Sequence, residues 1–138
     1  MDTKFSVATH ILILISEADK DINSRDIAES VGTNASYIRK ICALLKNANI
    51  IDSHQGNNGY KLKISADKLT LLKIYQAVSE ENRPHLFDIH LNPNDKCLVG
   101  ANIKPVLNDM FTDLEDEFAK ELEKRTLLDC INEIRKRL

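Results

Sequence analysis

Gly32 separates two short amphipathic segments, and that break constrains the fold more than any other feature of the sequence. Before it, Ser24 is placed to cap a short helix whose Ile27, Ala28 and Val31 share one face. After it, Asn34 is placed to cap a helix over residues 35–48, with Ile38, Ile41, Cys42 and Leu45 as its apolar stripe. Two such helices joined by a tight turn make a helix-turn-helix unit. Upstream, residues 4–18 put Phe5, Ala8, Ile11, Leu12 and Ile15 on one helical face. The apolar run 11–15 alone would also suit a buried strand, but the longer period around it selects a helix.

A wing is expected next. Residues 50–54 are a short strand candidate, and the turn Gln55-Gly56-Asn57-Asn58-Gly59 ends in a preferred hairpin dipeptide. Residues 60–64 alternate Tyr, Lys, Leu, Lys, Ile, which sets the lysines on one face. Thr70 can cap a further helix carrying Leu71, Ile74, Tyr75 and Val78. Residues 82–102 show no period and read as a long loop, a kind of segment that is usually functional.

Beyond the loop, Ile103, Val106, Leu107, Met110, Phe111, Leu114, Phe118 and Leu122 recur every three or four residues. They predict a helix over 105–124, roughly 30 Å long, with Pro105 in its first turn. Thr126 and Asp129 have capping-box spacing for a last helix. The expected fold is mostly α with a small β wing. Residues 1–81 form the winged helix-turn-helix domain, 82–102 a sensor-type loop, and 103–138 dimerisation helices packing back on the first domain. One small domain cannot cover the whole 103–122 stripe, and soluble monomers avoid large exposed apolar patches. Val106, Met110, Phe111, Leu114 and Phe118 are therefore read as a homodimer interface.

The formal net charge of −2 gives no basic balance overall, but its distribution is uneven. Residues 33–64 hold five Lys/Arg against the single acid Asp52, a balance of +4. Residues 65–138 hold eleven Lys/Arg against fourteen Asp/Glu, a balance of −3. A local basic surface is what phosphate contacts need. Ser36, Tyr37, Arg39 and Lys40 fall on the N-terminal half of the third helix, where an arginine can read guanine and Ser or Tyr can bond phosphate. Thr33 and Asn34 can hold a phosphate at the helix start. Asn34 can equally serve only as the cap. In the wing, His54, Gln55, Asn57, Asn58 and Lys61 can approach a minor groove or flanking phosphates. The asparagines suit turn geometry equally well.

The three cysteines lack the spacing of a disulfide framework or a structural zinc site. Cys42 reads as core and Cys130 as a candidate for an interface. Cys97 lies beside Lys96 in the irregular loop and ahead of a helix, a setting that favours the thiolate and makes it the redox-sensing candidate. An inert Cys97 is the competing reading. His85, Asp88, His90 and Cys97 follow no standard metal-site spacing, and a solvated loop is the simpler reading, so no metal or cofactor is assigned. No enzyme motif occurs at a recognisable spacing, no catalytic residue is assigned, and no apolar run suits a membrane span or a signal peptide. The expected location is cytoplasmic.

The segments Ile27-Ala28-Glu29, Ser36-Tyr37-Ile38, Leu44-Leu45-Lys46-Asn47-Ala48, Gly59-Tyr60-Lys61-Leu62 and Leu69-Thr70-Leu71, with the closing Thr126-Leu127-Leu128-Asp129, resemble the Rrf2 (BadM/IscR-type) family of bacterial regulators. The resemblance runs through nearly the whole chain. It implies a winged helix-turn-helix fold, DNA binding and dimerisation through the long helix. Many members carry three cysteines and a histidine in the loop before that helix. Aligning Cys97 with the last cysteine puts Leu91 and His85 at the other two cysteine positions and Gly100 at the histidine. An acidic residue common in the family after Ser-Tyr-aliphatic is Arg39 here, so sequence readout is expected to differ. The helix-turn-helix, wing and long-helix order together with the resemblance predicts a repressor that binds double-stranded DNA at an inverted repeat as a homodimer. The departures at Leu91 and Gly100 predict no cluster, and the setting of Cys97 makes an oxidant the expected signal. The alternatives are a metal- or small-molecule-responsive regulator and a winged-helix module that docks a protein.

Overall fold

The computed structural model describes residues 2–53 and 59–138. His54, Gln55, Asn57 and Asn58 lie outside the described residues. The elements run α1 (Lys4–Glu17), β1 (Ile22–Asn23), α2 (Ser24–Val31), α3 (Ala35–Asn47), β2 (Ile51–Ser53), β3 (Gly59–Leu62), α4 (Leu71–Val78), α5 (Leu98–Lys124) and α6 (Leu127–Arg135). The mostly helical architecture with a small antiparallel wing is the one the sequence predicts.

The helix starts follow side-chain chemistry. Asn34 accepts the Tyr37 amide at 2.8 Å, and Thr70 accepts the Lys73 amide at 3.1 Å. Thr126 and Asp129 form a full capping box at the head of α6. α2 departs from expectation by one residue. Its cap is Asn23, which accepts the Asp26 amide at 2.9 Å, and Ser24 is the first helical residue and is buried. Gly32 ends α2 at φ 83°, a left-handed conformation that glycine adopts without steric cost, and its amide bonds the Ala28 carbonyl.

The sheet holds a third strand that periodicity does not foresee. The order is β1-β3-β2, with Ile22 opposite Tyr60 and Asn23 opposite Gly59. Two residues are too few to show an alternating pattern. Gly59 is needed at this junction because a Cβ there would run into the Asp21 side chain.

The long helix also starts earlier than predicted. It begins at Leu98, about two turns before Pro105, which lies inside the helix rather than at its head. Leu98 and Val99 are 83% and 67% exposed, so these turns carry no buried stripe for periodicity to find. Pro105 lacks the N–H that would bond the Ala101 carbonyl. Both residues are exposed, so solvent can take that bond.

The core joins α1, α2, α3, α4 and α6. Ala8, Ile11, Leu12, Ile27, Ile38, Ile41, Leu45, Leu69, Ile74 and Leu127 are fully buried. α6 is tied back to the start of α4 by a Thr70–Thr126 bridge and by the Leu127 amide, which donates to the Leu69 carbonyl at 2.8 Å. If α6 is structurally part of this core, Leu127→Ala will cost about 2–5 kcal/mol in urea unfolding, while truncation at the exposed Leu138 will change stability by less than about 0.5 kcal/mol. Equal midpoints for the two variants would show that α6 does not contribute.

Candidate nucleic-acid interface and adjoining loop

Burial of one face of α3 decides which side chains the other face presents. With Ile38, Ile41, Cys42 and Leu45 inside, Ser36, Arg39 and Lys40 are exposed and, at spacings of three and four, neighbour one another. Tyr37 is half-buried and packs against the core. Asn34 is exposed, with its carbonyl oxygen committed to the cap and its side-chain amide still a donor. The amide of Thr33 donates to the Ala28 carbonyl at 3.0 Å, which leaves the Thr33 hydroxyl as its group for a phosphate.

Arg39 leans back toward α2, where its Nη1 donates to Ser24 Oγ at 3.4 Å. On β3, Lys61 is exposed with its Nζ 3.9 Å from Asp21 Oδ1. Two basic residues near this surface escape the sequence reading. Lys46 donates to Ser53 Oγ at 2.8 Å and links the end of α3 to β2. Arg25 opens onto a cleft shared with Arg39. The run of bases from 33 to 64 includes Lys46 and so carried a signal for it, whereas Arg25 lies outside that run, among Asp19, Asp21, Asp26 and Glu29.

The segment between α4 and α5 is fastened to the long helix. Arg83 pairs with Asp116 and donates to the Thr112 carbonyl, the Leu86 amide donates to Glu115 at 2.8 Å, and the Phe87 ring packs 5.0 Å from the Phe111 ring. Phe111 is therefore half-covered by its own chain, whereas Val106, Met110, Leu114 and Phe118 remain 44–57% exposed. His85 sits between Asp88, at 2.6 Å, and Glu115, at 3.5 Å. Its hydrogen bond to Asp88 raises the imidazole pKa. Beside the segment, Phe5, Tyr75, Val78, Leu86 and Phe118 line a cavity of about 320 Å³, with His85 and Lys4 at its edge.

The three thiols differ sharply. Cys97 is exposed at the N-cap position of α5, and the Gly100 and Val99 amides lower its pKa. Those amides, rather than the neighbouring Lys96, account for the shift. The turn is tight, since a Cβ on Gly100 would collide with the Asn94 carbonyl oxygen. Burial pushes Cys42 up to about 11, partly offset by its hydrogen bond with Tyr60. Burial and the Asp129 charge raise Cys130.

The sequence profile of the Rrf2 family, described as "Iron-dependent Transcriptional regulator", matches residues 1–133. The "Putative HTH-type transcriptional regulator YwnA" of Bacillus subtilis (strain 168) is 37% identical over 134 residues, covering 97% of this chain and 98% of that protein. The crystal structure of "a putative DNA binding protein" is 34% identical, with a TM-score of 0.75 over 93% of this chain and 98% of that one. The structure of CymR (YrzC), the global cysteine regulator of B. subtilis, gives a TM-score of 0.72 over 96% and 95% of the two chains. At 19% identity that last likeness concerns the fold alone.

The donor set of this chain does not fit an iron centre. An iron–sulfur cluster needs several converging thiolates or equivalent ligands. The loop offers one thiol, with Leu91 and Gly100 at two of the positions where the family resemblance puts ligands. Among the described residues, no three His, Cys, Asp or Glu side chains are grouped to hold a metal ion. Nor, among them, is any helix long and apolar enough to cross a membrane.

The thiol environments set an order of reactivity. With iodoacetamide at neutral pH, Cys97 will be alkylated first and Cys130 more slowly, and Cys42 will react only on unfolding, as read by peptide mass spectrometry. Labelling of Cys42 before Cys97 in the native protein would contradict these environments.

Proposed function

The chain belongs to the Rrf2 family of transcriptional regulators, which are not enzymes, and from that premise we propose that it is a homodimeric repressor of an inverted-repeat operator. Two copies of α3 enter successive major grooves. The observation that carries this reading is the division of α3, whose inner stripe is fully packed while Ser36, Arg39 and Lys40 face outward next to a wing that carries Lys61. Thr33, Asn34 and Tyr37 support the helix at its DNA-facing end, and His54 and Gln55 are assigned to the contact from the sequence alone. The dimer forms along α5, where Val106, Met110, Leu114 and Phe118 recur at every fourth position and remain exposed.

The signal acts at Cys97. Its thiolate attacks a peroxide oxygen, the O–O bond breaks, and a sulfenic acid forms as hydroxide leaves. Cys97 directly precedes the helix that builds the dimer, so this chemistry bears on the spacing of the two copies of α3. The cavity beside the loop favours a second reading, in which a small apolar molecule is the signal.

Selection of genomic fragments followed by footprinting tests the main reading. Two protected segments with centres about 34 Å apart are expected, from a species that sediments as a dimer at micromolar concentration. Absence of any retarded fragment at low salt would favour a protein-docking module instead. Mild peroxide should weaken operator binding by the wild type and leave Cys97→Ser unaffected. Equal responses would exclude Cys97 as the sensor.

A further inference from the structure

Arg25 and Arg39 share a cleft of about 200 Å³ where α2 begins, lined otherwise by Asn23 and Ser24. Both arginines are exposed, and among the described residues no carboxylate bonds either guanidinium. Two cations beside one cleft, neither ion-paired to a carboxylate, repel each other, and an anion between them removes that repulsion. Arg39 is not swinging free, because its Nη1 donates to Ser24 Oγ, and Ser24, the first residue of α2, is only 9% exposed. Arg39 is therefore aimed along the seam of the two helices rather than straight out from α3. The guanidinium fork matches the geometry of a phosphate, and two forks at one opening suit a single tetrahedral anion.

We infer that this cleft seats one backbone phosphate of the operator, held jointly by Arg25 and Arg39, and that Arg39 positions the recognition helix instead of reading a base. The inference rests on the DNA-binding reading above. It also accounts for a basic residue at 39, where the resemblance leads one to expect an acid. A carboxylate at that position would repel the phosphate that Arg25 attracts.

The test measures affinity by fluorescence anisotropy for wild type, Arg25→Ala, Arg39→Ala and the double variant. Each is titrated with the operator and with a scrambled duplex, between 50 and 200 mM salt. Each single variant should weaken both duplexes alike and reduce the slope of log K against log salt by about 1, so that it loses about threefold to fourfold less affinity across that range than wild type does. The double variant should fall short of the product of the two singles, because both residues serve one phosphate. Inorganic phosphate at constant ionic strength should leave wild-type binding unchanged. Competition by millimolar phosphate would mark the cleft as a free-anion site and overturn its assignment to DNA. An unchanged slope with relaxed preference at one base pair for Arg39→Ala would make Arg39 a base reader. Wild-type affinity for Arg25→Ala would remove Arg25 from the contact. Failure of the wild type to bind any duplex would reject the DNA-binding reading itself.

Discussion

The buried face of α3 is the contact on which the rest of the molecule depends. Ile38, Ile41 and Leu45 are inaccessible and Cys42 is 2% exposed, so the helix is gripped along its length by α1, α2 and α4. Each such aliphatic side chain contributes about 1.5–3 kcal/mol by leaving water. Rolling α3 by one residue would turn it through about 100° and carry Arg39 toward the aliphatic core. The charge would lose its solvent with no partner to replace it, at a cost of several kcal/mol, comparable to the net stability of a small domain. The outward face is thus fixed by what lies beneath it. α1, α4 and the returning α6 serve to complete that floor.

Elements whose signal is local were legible in the sequence. α3 announces itself through Asn34 and its stripe, and α6 through Thr126 and Asp129, because a cap and a 3.6-residue period need only nearby residues. β1 was not legible, since two residues become a strand only when β3 arrives beside them. The head of α5 was missed because its leucine and valine face solvent and a proline further on imitates a start. The same division runs through the candidate site. Ser36, Arg39 and Lys40 could be placed on one helix face by counting. The nearness of Arg25 to Arg39 could not, because it depends on how α2 packs against α3. The cap at Asn23 rather than Ser24 is a one-residue error, of the kind expected where two good capping residues adjoin.

The long helix has two unlike regions. Its middle is fastened to the preceding loop by Arg83, Leu86 and Phe87, and Glu115 is buried to accept the Leu86 amide. Its first turns stand apart from the core, begin at Cys97 and run into Pro105, where the ladder lacks one bond. Cys97 and the missing bond at Pro105 both lie on the loop side of the fastened middle. Val106, Met110, Leu114 and Phe118, the exposed part of the apolar stripe, follow the proline.

Gly100 bears on how this chain can change over generations. The Asn94 carbonyl lies so close that even the smallest side chain at position 100 would strike backbone. A histidine or any other donor there is not one substitution away. The turn over residues 92–97, including Asn92 with its left-handed φ of 59°, would have to be rebuilt first, and the intermediates would carry a clash with no ligand to compensate for it. A ligand at position 100 is thus barred by a backbone contact as well as by the absence of a donor atom.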